Sequence, residues 1–145
     1  MNPLERTART SLHREIRANL AEVDPLCREV CSLLEENGLA WVCFAAELVA
    51  RECLNNAIIH GSRRDVGKRV ALNLLIKRKW IYLQVVDEGP GFNWRKARRA
   101  PLPEDTATSG RGLSISALYA DRITFNQRGN RITVWLKKES KGGTK

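Results

Sequence analysis

The sequence predicts an α+β fold: a two-layer α/β sandwich with helices on one face of a mostly antiparallel sheet. Three observations lead there. Apolar residues recur at helical spacing in two early segments, at Leu26, Val30, Leu33 and Leu34 and then at Val42, Ala46, Val49, Cys53 and Ala57. Later segments alternate instead, with Val70, Leu72, Leu74 and Ile76 followed by Ile81, Leu83 and Val85. The alternating runs come in pairs joined by short turns, as hairpins do.

Each element follows in order. Residues 1 to about 10 read as a flexible arm, and residues 139–145, with Gly142-Gly143, as a disordered tail. Between them, residues 11–138 form one domain. Residues 11–18 set Leu12 and Ile16 among charges, consistent with an edge strand, with a helix as the alternative. Asp24-Pro25 starts the first helix, with Asp24 as N-cap and Pro25 in the first turn, and Asn37-Gly38 ends it. The second helix runs from about residue 40 to His60, where Gly61 stops it. Lys77-Arg78-Lys79 is the turn between the first two alternating strands. Residues 88–110 are a long irregular stretch, of a length usually reserved for a lid or for disorder. Residues 113–120 read as a third helix, and residues 122–126 and 131–137 as a closing hairpin around Gly129-Asn130.

Composition sets the outer bounds. A chain of 145 residues with 43% hydrophobic content supports one core. No apolar run approaches the ~20 residues of a membrane span, and the charged N-terminus is no secretory signal. A cytoplasmic protein without membrane contact is expected. The four cysteines lie in helical segments; Cys27 and Cys31 share a face at four-residue spacing, but no downstream Cys-x-x-Cys or His-rich partner completes a metal site, which favours reduced thiols. The net charge of +9 gathers at Arg63-Arg64, Lys77-Arg78-Lys79, Arg95-Lys96, Arg98-Arg99 and Lys137-Lys138. No nucleic-acid-binding motif accompanies these clusters. Solvated turns or an anionic protein or phosphate partner fit better than direct nucleic-acid binding.

Three constellations carry chemistry. At ~100° per residue, Asn56 falls about 60° from Cys53 and His60 about 20° from it, so both lie in or beside the apolar arc. Glu52 sits at its edge, and Asn55 points nearly opposite. A polar amide on an inner face needs a partner. The Asn56 oxygen suits Mg²⁺ held beside waters and phosphate, unless it is a satisfied core amide. Glu52 could accept a proton from a hydroxyl, or pair with a neighbouring base. His60 could simply favour the helix dipole.

Asp87-Glu88-Gly89-Pro90-Gly91 follows a buried strand, where the Asp87 carboxylate needs a donor. The exocyclic amine of adenine is one, with Gly89 and Gly91 letting backbone approach the base; a plain Asp-initiated turn is the alternative. Phe92 would cover the base or anchor the loop. Ser109-Gly110-Arg111-Gly112-Leu113 opens the third helix, where Gly110 and Gly112 free amides to cradle phosphate and Arg111 could reach it.

Together these residues resemble the GHKL (Bergerat-fold) ATPases, a superfamily that includes gyrase B and histidine-kinase catalytic domains. Glu52-x-x-x-Asn56 is similar to its N-box, Asp87-x-Gly89-x-Gly91 to its first glycine box and Gly110-x-Gly112 to its second, with residues 92–109 as the ATP lid. The size and the Asn-Ala-Ile-Ile-His-Gly run are most similar to bacterial anti-sigma-factor serine/threonine kinases. The resemblance implies ATP and Mg²⁺ as cofactors. It implies Glu52 as catalytic base, Asn56 as metal ligand and Asp87 as adenine acceptor. His60, Gly89, Gly91, Phe92 and Gly110 to Leu113 would complete the nucleotide pocket. A sigma factor and an anti-sigma-factor antagonist would be the partners, and a homodimer the assembly.

One departure accompanies the likeness. The family usually has Gly-Thr in the last strand, with the Thr helping to bind adenine; here Arg131-Ile132 precede Thr133-Val134. Either Thr133 substitutes through a register shift, or nucleotide affinity is reduced. The expected function is therefore an ATP-dependent anti-sigma-type kinase. The alternative is a catalytically weak nucleotide-binding module that acts by sequestering its partner. A basic nucleic-acid-binding domain is the third reading.

Overall fold

The computed structural model describes residues 9–89 and 119–138. Among these, strands β1 (Ser11–Arg17), β2 (Arg69–Ile76), β3 (Trp80–Asp87), β4 (Arg122–Phe125) and β5 (Arg131–Lys137) form one antiparallel sheet. Their order is β1-β2-β3-β5-β4, so residues 11–18 do supply an edge strand. Period-two alternation puts Val70, Leu72, Leu74, Ile76, Ile81, Leu83, Val85, Val134 and Leu136 on a single buried face. Helices α1 (Val23–Glu36) and α2 (Cys43–Asn56) join that face in a common core, giving the expected two layers. The other face carries Asn73, Tyr82, Gln84, Thr133 and Trp135, all half-buried.

The first helix starts differently from the sequence expectation. A short 3-10 turn, Leu20–Glu22, precedes it, and Asn19 rather than Asp24 provides the cap, its side chain accepting from the Ala21 amide at 2.9 Å. Asp24 lies inside the first helical turn and pairs with Arg51 of α2, which also reaches Glu47 at 3.2 Å. The Asp24 carboxylate thus ties the two helices together instead of closing an end. The C-terminus matches expectation. Gly38, at φ +73°, donates to the Glu35 carbonyl at 3.1 Å, and Leu39 donates to Leu34 at 2.8 Å. That pair of bonds is a Schellman motif, and its left-handed position is why glycine stands there.

Every residue of the predicted inner stripes of α1 and α2 is buried. The second helical path spans residues 40–61 as expected, but not as one uniform α-helix. A 3-10 turn, Ala40–Val42, leads into α2, and a π turn, Ala57–Gly61, ends it. There the Ser62 amide reaches back five residues to the Ala57 carbonyl at 2.7 Å, which widens the coil. None of the four cysteines is in a disulfide. Cys27 and Cys53 are buried, whereas Cys31 and Cys43 are half-buried and face each other between α1 and α2. Burial pushes the Cys31 thiol up to about 12, which keeps it protonated and inert at neutral pH.

Part of the expected flexible arm is pinned: Thr10 accepts from the Ile76 amide at 2.8 Å, and Arg9 accepts from Asn37 at 2.7 Å. Residues 90–110 of the expected irregular stretch, residues 113–118 of the expected third helix and the expected tail at 139–145 lie outside the described residues. Among the described residues, no helix is long and apolar enough to cross a membrane.

Candidate functional site

The site forms where the end of α2 meets the end of β3. Helical spacing sets Glu52 and Asn56 one turn apart on α2, both half-buried at the rim of the apolar face. Burial alone pushes the Glu52 carboxyl above the ordinary glutamate range. A raised carboxyl is a stronger proton acceptor once ionised. Asn55 is half-buried too, rather than the solvated bystander that its helical angle suggested. His60 is half-buried on the π turn.

The π turn brings Gly61 under Asp87. A methyl group on Gly61 would stand 2.5 Å from Asp87 Oδ2 and 2.7 Å from Oδ1, well inside contact distance. Gly89 closes the other side: its own Cβ would lie 2.6 Å from the Gly61 carbonyl carbon and 2.9 Å from Asp87 Oδ1. Two bare glycine backbones therefore sandwich one carboxylate. Strand alternation supplies the third part, because Asp87 continues the row Ile81, Leu83 and Val85 on the helix-facing side of the sheet.

Asp87 Oδ1 accepts from the Gly89 amide at 2.6 Å, so the plain turn reading holds for that oxygen. The β4–β5 turn supports the same residue from the sheet side. The Asp87 amide donates to the Asn130 carbonyl at 3.0 Å, and Asn130 Nδ2 donates back to the Asp87 carbonyl at 3.0 Å. Arg128 Nη2 reaches the Gly89 carbonyl at 3.3 Å.

Thr133 belongs elsewhere. It pairs in register with Gln84, whose Nε2 donates to Thr133 Oγ1 at 3.2 Å on the sheet face away from the helices. The sheet separates its hydroxyl from Asp87, and no register shift corrects this. Ile132, opposite Val85, packs on the core side instead. The reason is strict alternation along β5, which cannot put Thr133 and Val134 on the same face.

Gly91, Phe92, Gly110, Arg111, Gly112 and Leu113 lie outside the described residues. Of the predicted site residues, Glu52, Asn56 and His60 lie along α2 and its π turn, and Asp87 and Gly89 meet that turn at Gly61. Sequence reasoning missed the second role of Gly61, which it took only as a helix stop. It also missed Asn126 and Asn130, whose sole signal was turn composition. Ser62 was missed as well: its side chain is 1% exposed, and among the described residues its hydroxyl has no hydrogen-bond partner. Arg63 and Arg64 follow with φ of 54° and 59°, a strained left-handed pair exposed beside the site.

The arrangement offers a carboxylate acceptor seated between close-approach glycines, a carboxamide oxygen suited to a hard cation, and a carboxylate of raised basicity on one helix. Such a set has the donors and acceptors to receive a nucleotide.

Comparison with known proteins agrees. Residues 16–138 match the histidine kinase-like ATPase domain. The chain is 28% identical over 127 residues to the anti-sigma F factor of Geobacillus stearothermophilus, covering 85% of this chain and 78% of that protein. It is 26% identical over 110 residues to the anti-sigma F factor of Bacillus velezensis (74% of this chain, 66% of the relative). The Bacillus subtilis protein of that name is 24% identical over 110 residues, with the same coverage. With the fold, the α2–β3 junction and a family match over most of its length in agreement, the chain belongs to the histidine kinase-like ATPase domain family, and its likeness within that family is to anti-sigma factors.

Proposed function

We propose that this protein is a Mg²⁺/ATP-dependent serine/threonine protein kinase of the anti-sigma type, which sequesters a sigma factor and phosphorylates an anti-sigma-factor antagonist in the cytoplasm. The observation that carries the reading is the continuous path from Glu52 through Asn56 to the Gly61–Asp87–Gly89 contact. A nucleotide lying along that path has its base at Asp87 and its phosphates toward Asn56. The anti-sigma F factors named above supply the partner class, a sigma factor; a homodimer is part of the same proposal.

The residues divide the work. Asp87 accepts a hydrogen bond from the 6-amino group of the base, and Gly61 and Gly89 admit the base to that carboxylate. The Asn56 oxygen would hold Mg²⁺. Bound Mg-ATP supplies the phosphoryl group and the neutralising charge for its transfer. Glu52, raised by burial, takes the proton from the incoming serine or threonine hydroxyl. His60, Gly91, Phe92, Arg111, Leu113 and the Gly110 and Gly112 amides complete the pocket in this reading.

Glu52→Gln tests the assignment. The variant is expected to bind ATP normally and to transfer no phosphate to a cognate anti-sigma-factor antagonist. Undiminished transfer would refute Glu52 as base.

A second reading is a nucleotide-binding regulator without efficient catalysis. Its support is Ile132 on the pocket side of β5, with the Thr133 hydroxyl turned away. Sigma-factor sequestration that persists without phosphotransfer by the wild-type protein would favour it.

A further inference from the structure

The β4–β5 turn lies against Asp87 and meets it through Asn130, main chain and side chain alike. β3 and β5 pair in register as far as Val86 and Arg131. One residue further, at Asp87, which still pairs with Val70 of β2 on its other side, the ladder to β5 ends. Asn130 extends it: its main-chain carbonyl receives the Asp87 amide, and its side-chain Nδ2, standing in for a strand amide, donates to the Asp87 carbonyl, both at 3.0 Å. Asp87 is thereby held at both main-chain polar groups by one residue.

Asn130 is itself held. Asn126 Nδ2 donates to Asn130 Oδ1 at 2.7 Å, which orients the amide so that Nδ2 faces Asp87. Asn126 Oδ1 in turn receives the Gly129 and Arg131 amides at 2.8 and 3.1 Å. Gly129, at φ +84°, permits the turn to close. The chain of contacts runs from the turn backbone through Asn126 and Asn130 to the backbone of Asp87, and from there to the carboxylate clamped by Gly61 and Gly89.

We propose that Asn130, oriented by Asn126, is a positioning residue for Asp87 and sets the preference of the site for 6-amino over 6-oxo purines. The proposal rests on the reading of Asp87 as acceptor for the base amine. A carboxylate recognises that amine only at hydrogen-bond distance and angle, so displacement of Asp87 erodes the contact. A 6-oxo purine has no exocyclic amine and sets the acceptor O6 in its place, so it lacks the bond that displacement of Asp87 would cost.

The test is calorimetric titration of ADP and IDP, with Mg²⁺, into the wild-type protein and two variants. Asn130→Ala removes Nδ2, and near-isosteric Asn130→Asp turns a carboxylate oxygen toward the Asp87 carbonyl. ADP affinity is expected to fall about tenfold in Asn130→Ala, the worth of about one well-placed hydrogen bond, and further in Asn130→Asp. IDP affinity should change less than about twofold in either variant, so the ADP-to-IDP preference collapses. A merely structural role would weaken both nucleotides equally or shift the melting temperature alone, and either outcome overturns the proposal. So does an unchanged ADP-to-IDP ratio in Asn130→Asp. If the wild-type protein binds neither nucleotide, the nucleotide-site reading itself fails and the proposal with it. That result differs from selective wild-type binding with an unaffected variant.

Discussion

Replacing Gly61 by alanine probes the contact on which the site depends. In an ordinary helical turn the change should help, since alanine is favoured over glycine by about 1 kcal/mol. Here the new methyl would stand 2.5 and 2.7 Å from the two Asp87 carboxylate oxygens. Asp87 cannot swing aside freely, because its Oδ1 holds the Gly89 amide at 2.6 Å and Asn130 holds its main chain. Overpacking of this kind costs about 1–3 kcal/mol. Losing the bond to the charged oxygen adds about 1.5–3 kcal/mol. With the alanine preference set against these, a net loss of about 1.5–5 kcal/mol is expected, or a melting temperature lower by roughly 5–20 °C for a chain of this size. Gly38→Ala is the control: at φ +73° with no atom within 4 Å of the added Cβ, it bears backbone strain alone, about 1 kcal/mol. Thermal denaturation followed by circular dichroism reads both variants. A Gly61→Ala protein as stable as wild type, or more stable, would refute the close contact between the π turn and Asp87.

Two further changes should raise stability. Ser62→Ala removes a buried hydroxyl that has no partner among the described residues, and should gain about 1 kcal/mol in urea denaturation; a loss of similar size would mean the hydroxyl is satisfied. Glu52→Gln should raise the melting temperature at pH 7 but not at pH 4. The folded-state carboxyl lies above its usual 4.5, so its stability contribution is full below that pH and is lost as the pH rises through the folded value. A neutral glutamine avoids that loss, and a stability difference independent of pH would contradict the burial of Glu52.

The layers of this fold were legible because they depend on period. Stripes at 3.6 residues marked α1 and α2, and alternation marked β2, β3 and β5, with every assigned core position buried. The Asn37-Gly38 stop was legible for a local reason, since only a residue comfortable at positive φ closes that end. Asp24 misled because its sequence fits a cap, while the capping bond comes from Asn19 and Asp24 answers to Arg51, 27 residues away. The same limit applies to the site. Glu52, Asn56 and Asp87 could be picked out as polar groups on apolar faces. The Gly61–Asp87–Gly89 contact and the Asn130 bonds could not, because they join segments distant in sequence through a π turn that no periodicity announces. Thr133 shows the reverse case: its face followed from alternation with Val134, yet the likeness to a family motif suggested the opposite side.

The central claim is that the α2–β3 junction binds Mg-ATP through Asn56 and Asp87. Calorimetric titration of ATP, with and without Mg²⁺, into wild-type protein and Asn56→Ala tests it most directly. The wild-type protein should bind one ATP per chain in a Mg²⁺-dependent manner, and Asn56→Ala should lose that Mg²⁺-dependent binding. Absence of ATP binding by the wild-type protein, or Mg²⁺-dependent binding unchanged in Asn56→Ala, would contradict it.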